Sequence, residues 1–94
     1  MAPLLRVKVE YVGKFKDITK KREEVIEFNG RTLLDLLHYL VRKYGERLKN
    51  AVLDGNSLRE DVIILKNGRS VGENLNVELN SNDCVCFLPF VSGG

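Results

Sequence analysis

Apolar and polar positions alternate along residues 4–12, with Leu5, Val7, Val9 and Tyr11 in one phase and Arg6, Lys8 and Glu10 in the other. A period of two predicts a half-buried strand with one wet face. Residues 13–24 are polar and basic, carrying Lys14, Lys16, Lys20, Lys21 and Arg22. They read as a long hairpin connection, a solvated loop in preference to a patch for an anionic partner. Residues 25–28 predict a second strand, closed by the turn pair Asn29-Gly30.

The period then changes. Leu33, Leu36, Leu37, Leu40 and Tyr44 recur at helical spacing, widened by Leu34 and Val41, with Asp35 and Arg42 opposite. Thr32 is placed to cap the start, Asp35 three residues later completes a box-like cap, and Gly45 stands where a glycine ends a helix. The spacing predicts one amphipathic helix over 33–44, lying on a sheet. His38 falls at the polar margin of the stripe and reads as a surface residue, and Tyr39 and Tyr44 read as packing residues. Residues 46–60 read as irregular, with a turn at Asp54-Gly55. Residues 61–66 are nearly continuous in apolar character and predict a central, buried strand. Asn67-Gly68 is a strong hairpin signal, with 69–71 returning from it. Residues 75–79 predict a short strand or a turn of helix, and 84–88 an apolar last strand that Pro89 ends. One helix across a mixed sheet is a two-layer α+β arrangement.

Ninety-four residues make one domain, expected to comprise a body over 1–89 and a tail over 90–94. A net charge of +2 with both signs interspersed argues against a nucleic-acid partner, which selects for a basic face. No signal peptide or membrane-spanning stretch is read in the chain, so a cytoplasmic location is expected. The chain has no Trp and one His, a composition that leans toward a carrier, subunit or binding module over a self-contained enzyme.

Cys84 and Cys86 stand one residue apart, so in a strand they share a face about 6.6 Å apart with parallel side chains. That disfavours a disulfide. A metal site needs further ligands, and His38 is the one histidine available. Both cysteines are expected to be small core or half-buried strand residues, with no metal bound.

Candidate chemistry lies in the tail, Phe-Val-Ser-Gly-Gly94. Glycine makes up about 7% of residues on average, so a chance Gly at two given positions occurs at about 0.5%. Acyl transfer from a C-terminus requires the terminal carbonyl to enter another protein's active site. Without Cβ, Gly93 and Gly94 can thread a narrow channel at little steric cost. Glycine also leaves the acyl carbon unhindered and without a stereocentre to epimerise. No nucleotide-binding loop is read in the chain, so activation is expected to be the work of another protein.

The segment Asp83-Cys-Val-Cys-Phe-Leu-Pro-Phe-Val-Ser-Gly-Gly94 resembles the ending of the MoaD family, the small subunit of molybdopterin synthase. Phe15-Lys-Asp-Ile-Thr-Lys-Lys-Arg-Glu24, the helix over 33–44 and Asp61-Val-Ile-Ile-Leu-Lys-Asn-Gly68 are similar to it as well. The related ThiS proteins, ubiquitin-related modifiers and small archaeal modifiers share the tail. The resemblance implies a β-grasp (ubiquitin-like) fold and a non-catalytic carrier. The cycle that the resemblance implies is one in which an E1-like adenylating enzyme uses ATP to make the acyl-adenylate of Gly94, and a sulfur donor converts it to a thiocarboxylate. The tail, with Val91, Ser92 and Gly93 threading, then inserts into the large subunit of molybdopterin synthase. There it donates sulfur for the dithiolene that holds molybdenum or tungsten. The carrier itself binds no cofactor.

The tail departs from the family's common Phe-Pro-Pro-Val-Ala before Gly-Gly, having Leu88-Pro89-Phe90-Val91-Ser92. Phe90 reads either as packed on the domain or as an anchor in a partner's groove, with Leu88 and Pro89 as neighbouring contacts. Three functions follow. A sulfur carrier pairs stably with a synthase subunit through an apolar sheet face and the tail. A ubiquitin-like modifier of the small archaeal or ubiquitin-related type is joined through Gly94 to lysines of target proteins, and can also serve tRNA thiolation. An inert interaction domain is indifferent to loss of Gly93 and Gly94. The overall likeness to MoaD favours the first.

Overall fold

The alternation along residues 4–12 buries every second side chain, and the pairing preserves that phase. Leu5–Tyr11 (β1) runs antiparallel to Glu23–Phe28 (β2), with Leu5 opposite Phe28 and Glu10 opposite Glu23. Val7, Val9, Tyr11, Ile26 and Phe28 are buried on one side. A one-residue slip would turn the whole buried set of the shifted strand to water, which is why the register is well specified. The computed structural model describes residues 4–90.

The basic connection between these strands is a helix, not the long loop expected. Lys14–Thr19 (α1) buries Phe15 completely and Thr19 nearly so, and the Thr19 hydroxyl donates to the Phe15 carbonyl at 3.0 Å. The lysines occupy its solvent side and mask a two-turn apolar stripe.

Leu33–Tyr44 (α2) spans the residues that the spacing predicts and buries Leu33, Leu36, Leu37 and Leu40. Its capping box is complete: the Asp35 amide donates to Thr32 Oγ1 at 3.2 Å, and the Thr32 amide donates to Asp35 Oδ2 at 3.1 Å. Each fully buried leucine contributes about 1.5–3 kcal/mol, so this stripe is a principal tie between helix and sheet. Gly45 ends α2 and also starts Glu46–Val52 (α3), which buries Leu48 and Val52. The irregular stretch expected over 46–60 is therefore α3 followed by a small hairpin, Leu53–Asp54 (β3) with Ser57–Leu58 (β4), whose turn falls at Gly55-Asn56, one residue beyond the Asp54-Gly55 expected.

Val62–Lys66 (β5) turns at Asn67-Gly68 into Arg69–Ser70 (β6). Cys84–Pro89 (β7) then inserts between β1 and β5, parallel to the first and antiparallel to the second, giving the order β2-β1-β7-β5-β6. The middle strand is thus β7, and β5, read as central from its apolar run, lies one place outward. Residues 75–79 form no regular element; Glu78 makes an isolated bridge to Thr32, and Leu75 and Leu79 are buried under the start of α2.

Candidate functional site

The open face of the sheet, opposite α2, has two halves. On β7 the residues out of phase with buried Val85 and Phe87 are Cys84, Cys86 and Leu88, all half-buried. Ile63 and Leu65 on β5 pair with Leu88 and Cys86 and complete an apolar strip over the middle of the sheet. The β1–β2 half is charged: Lys8 pairs with Glu23 at 3.1 Å, and Glu10 accepts a hydrogen bond from Cys84 Sγ at 2.8 Å. Burial, aided by the Glu10 carboxylate, pushes the Cys84 thiol up to about 11, and burial raises Cys86 too. Both cysteines are free thiols held in the unreactive protonated form at neutral pH.

The strip leads to the root of the tail. Pro89 was expected to end the pairing, but the ladder runs on. Pro89 is in register with Val62, and the Phe90 amide donates to the Asp61 carbonyl at 2.9 Å. Proline's missing donor breaks nothing here because its own nitrogen is not called on by either neighbour, and the next residue supplies the bond. Phe90 is 54% exposed and Val12, at the end of β1, 46%. The Phe90 residue is thus partly covered by the domain and partly open to solvent. Val91, Ser92, Gly93 and Gly94 lie outside the described residues.

Around the root the charges are arranged. Asp61 accepts Arg59 Nε at 3.0 Å and Lys14 Nζ at 3.5 Å, and these partners, Arg59 first, hold its carboxyl below the ordinary range. Among the described residues no group of three or more His, Cys, Asp or Glu is placed to hold a metal ion, and no helix is long and apolar enough to cross a membrane.

The amino-acid sequence matches the model of the ThiS family over residues 9–94. The chain belongs to the ThiS family. ThiS-family chains are ubiquitin-like carriers or modifiers with the β-grasp fold. A solved structure from Pyrococcus furiosus, described as molybdopterin converting factor subunit 1, is 32% identical, with 93% of this chain covering 99% of that one at a TM-score of 0.76. Small archaeal modifier protein 1 from Methanosarcina acetivorans is 27% identical, with 97% and 98% covered and a TM-score of 0.81. The match to Amycolatopsis orientalis CysO in complex with BexX, at 21% identity, 94% and 99% coverage and a TM-score of 0.79, bears on the fold alone. No curated protein matches the chain.

Sequence reasoning located Leu88, Pro89 and Phe90 but missed Val12, Ile63 and Leu65, which share the open face and its end near Phe90. Val12 carried a signal, being an apolar residue in the wet phase of its strand. Ile63 and Leu65 carried none, because a continuous apolar run hides which side faces out. His38 is exposed as expected. Tyr39, 38% exposed, leans on Phe28 with ring centroids 6.5 Å apart. Tyr44 has a second task, in that its hydroxyl donates to Glu24 beside that of Tyr11.

Proposed function

We propose that this ThiS-family protein is a sulfur carrier, the small subunit of a molybdopterin synthase, and that its reactive group is the carboxylate of Gly94. The observation that carries the reading is the likeness to the Pyrococcus furiosus chain described as molybdopterin converting factor subunit 1, the 32% identical match, together with a family match that runs through residue 94. An E1-like enzyme joins the Gly94 carboxylate to the adenylyl group of ATP, releasing pyrophosphate. Sulfur from a donor then displaces AMP to leave the thiocarboxylate. The synthase large subunit receives the tail and passes that sulfur to a pterin precursor. The chain's own part is presentation. The strip of Cys86, Leu88, Ile63 and Leu65, ending at Val12 and Phe90, offers an apolar docking surface, and Phe90 seats in the partner as an anchor. Val91, Ser92 and Gly93 form the thread. No side chain of the protein serves as acid, base or nucleophile, and the protein acts in the cytoplasm.

A second reading is favoured by the 27% identity to small archaeal modifier protein 1. In it Gly94 is joined to lysines of target proteins, with a further role in tRNA thiolation. Genetic replacement separates the two. A host lacking the gene is complemented with the whole chain or with the chain ending at Ser92. The carrier reading expects the truncated form to leave molybdenum- or tungsten-cofactor enzymes inactive and the pterin precursor accumulating. Normal cofactor with loss of lysine adducts contradicts it and supports the modifier.

A further inference from the structure

The end of β7 is gripped from both sides, and one grip depends on a missing Cβ. Gly13 follows β1 and opens a turn closed by the Phe15 amide on the Val12 carbonyl at 3.3 Å. Its φ of 61° and ψ of −128° lie in a region essentially reserved for glycine. A Cβ there would meet Pro89 Cγ at 3.1 Å and Cδ at 3.3 Å, so the proline ring rests in the space the glycine leaves. Just before it, the Val12 amide donates to the Phe87 carbonyl at 2.9 Å. On the other side the Asp61 carbonyl holds the Phe90 amide. Lys14, next to Gly13, reaches across to the Asp61 carboxylate, which Arg59 steadies. The two grips are thereby linked around the strand's end.

We infer that this ring, with Gly13 and Pro89 as its steric contact, is a positioning device for the C-terminal carboxylate. It rests on the reading of Gly94 as the activated end. The four residues beyond Phe90 span at most about 14 Å fully extended. A fixed launch point and heading at Phe90 therefore restrict where the carboxylate can arrive, whereas a free root would spread it over a wide arc. Misplacement of a reacting group by about 1 Å can slow a step up to about a hundredfold. Neither Gly13 nor Pro89 touches the reacting atoms. Their effect appears in the rate of adenylation and not in docking, which the open face supplies.

The test is a double-mutant cycle on the full chain with the host's E1-like enzyme, following carrier-dependent exchange of labelled pyrophosphate into ATP. Gly13→Ala is expected to lower kcat about tenfold with KM within about twofold. In the Pro89→Ala background, where the ring is gone, adding Gly13→Ala is expected to change kcat by less than about twofold. The thermal midpoint should still fall in both backgrounds, since the positive φ strains alanine either way. Pro89→Gly, which removes the ring while leaving Gly13 unstrained, provides a second arm and is expected to lower kcat. The inference is overturned if Gly13→Ala leaves kcat unchanged, if kcat falls by the same factor in both backgrounds, or if Pro89→Gly exchanges at the wild-type rate. A wild-type chain that supports no exchange would instead overturn the reading of Gly94, and this inference with it.

Discussion

Glu24 is the most heavily bonded carboxylate of the molecule among the described residues, and removing its charge tests how the fold is held. Its side chain is 8% exposed. One oxygen accepts from the hydroxyls of Tyr11, at 2.6 Å, and Tyr44; the other accepts Lys43 at 2.8 Å and Lys21 at 3.1 Å. It so joins β1, β2, α2 and the basic connection. Burial alone would raise its pKa, but the donors, Lys43 and Tyr11 foremost, outweigh burial and bring it from an ordinary 4.5 to about 2. At about 1.36 kcal/mol per tenfold, that difference corresponds to at most about 3.4 kcal/mol. Both lysines are partly exposed and screened, which reduces the expectation to about 2 kcal/mol.

The sign follows from the depressed value. The stabilisation is fully present above about pH 4.5 and is lost as the pH falls toward about 2. Glu24→Gln should therefore lower the thermal midpoint at pH 7 by roughly 8–16 °C for a domain of this size. The gap to the wild type should close as both are acidified through that window. Calorimetry at a series of pH values measures this. A gap below about 2 °C at pH 7, or one that stays constant down to pH 2, would refute the reasoning.

Three further outcomes are expected. Phe90→Ala should raise KM for adenylation roughly tenfold, as loss of an aromatic anchor does, with the thermal midpoint unchanged because the ring is exposed; an unaltered KM would show that the ring makes no contact. Phe15→Ala should cost about 3–5 kcal/mol in urea unfolding, since the ring is wholly buried between α1 and β7; a loss under about 1 kcal/mol would contradict the packing of α1. Alkylation of Cys84 at neutral pH, resolved by peptide mass, should be roughly a hundredfold slower than for a free thiol and faster in Glu10→Gln, because its thiol stands at about 11; wild-type reaction at the free-thiol rate would contradict that burial.

The long periodic elements were readable because one face of each is buried. β1 alternates cleanly, α2 has a leucine stripe with its capping box, and Asn67-Gly68 turns β5 into β6. The two shorter helices were not readable. In α1 the pair Phe15 and Thr19 sits among lysines, and in α3 Leu48 and Val52 follow a glycine that read as a full stop. Each buries two residues, too few to establish a period. That β7 is the middle strand was also hidden, because its parallel partner β1 lies some seventy residues earlier and both β5 and β7 are apolar. The Glu24 network joins residues 13 and 20 positions apart and leaves no local pattern. For the site, Gly93 and Gly94 stood out by composition alone. The Gly13–Pro89 contact could not, since it depends on a close approach between the two ends of the chain.

The central claim, that the Gly94 carboxylate is activated and carries sulfur, is tested most directly by the intact mass of the N-terminally tagged protein purified from its host. The account predicts a species with one terminal oxygen replaced by sulfur, formed only in the presence of the E1-like enzyme and absent when Gly94 is deleted. A chain that keeps an unmodified carboxylate while that enzyme, ATP and a sulfur donor are all present would contradict it.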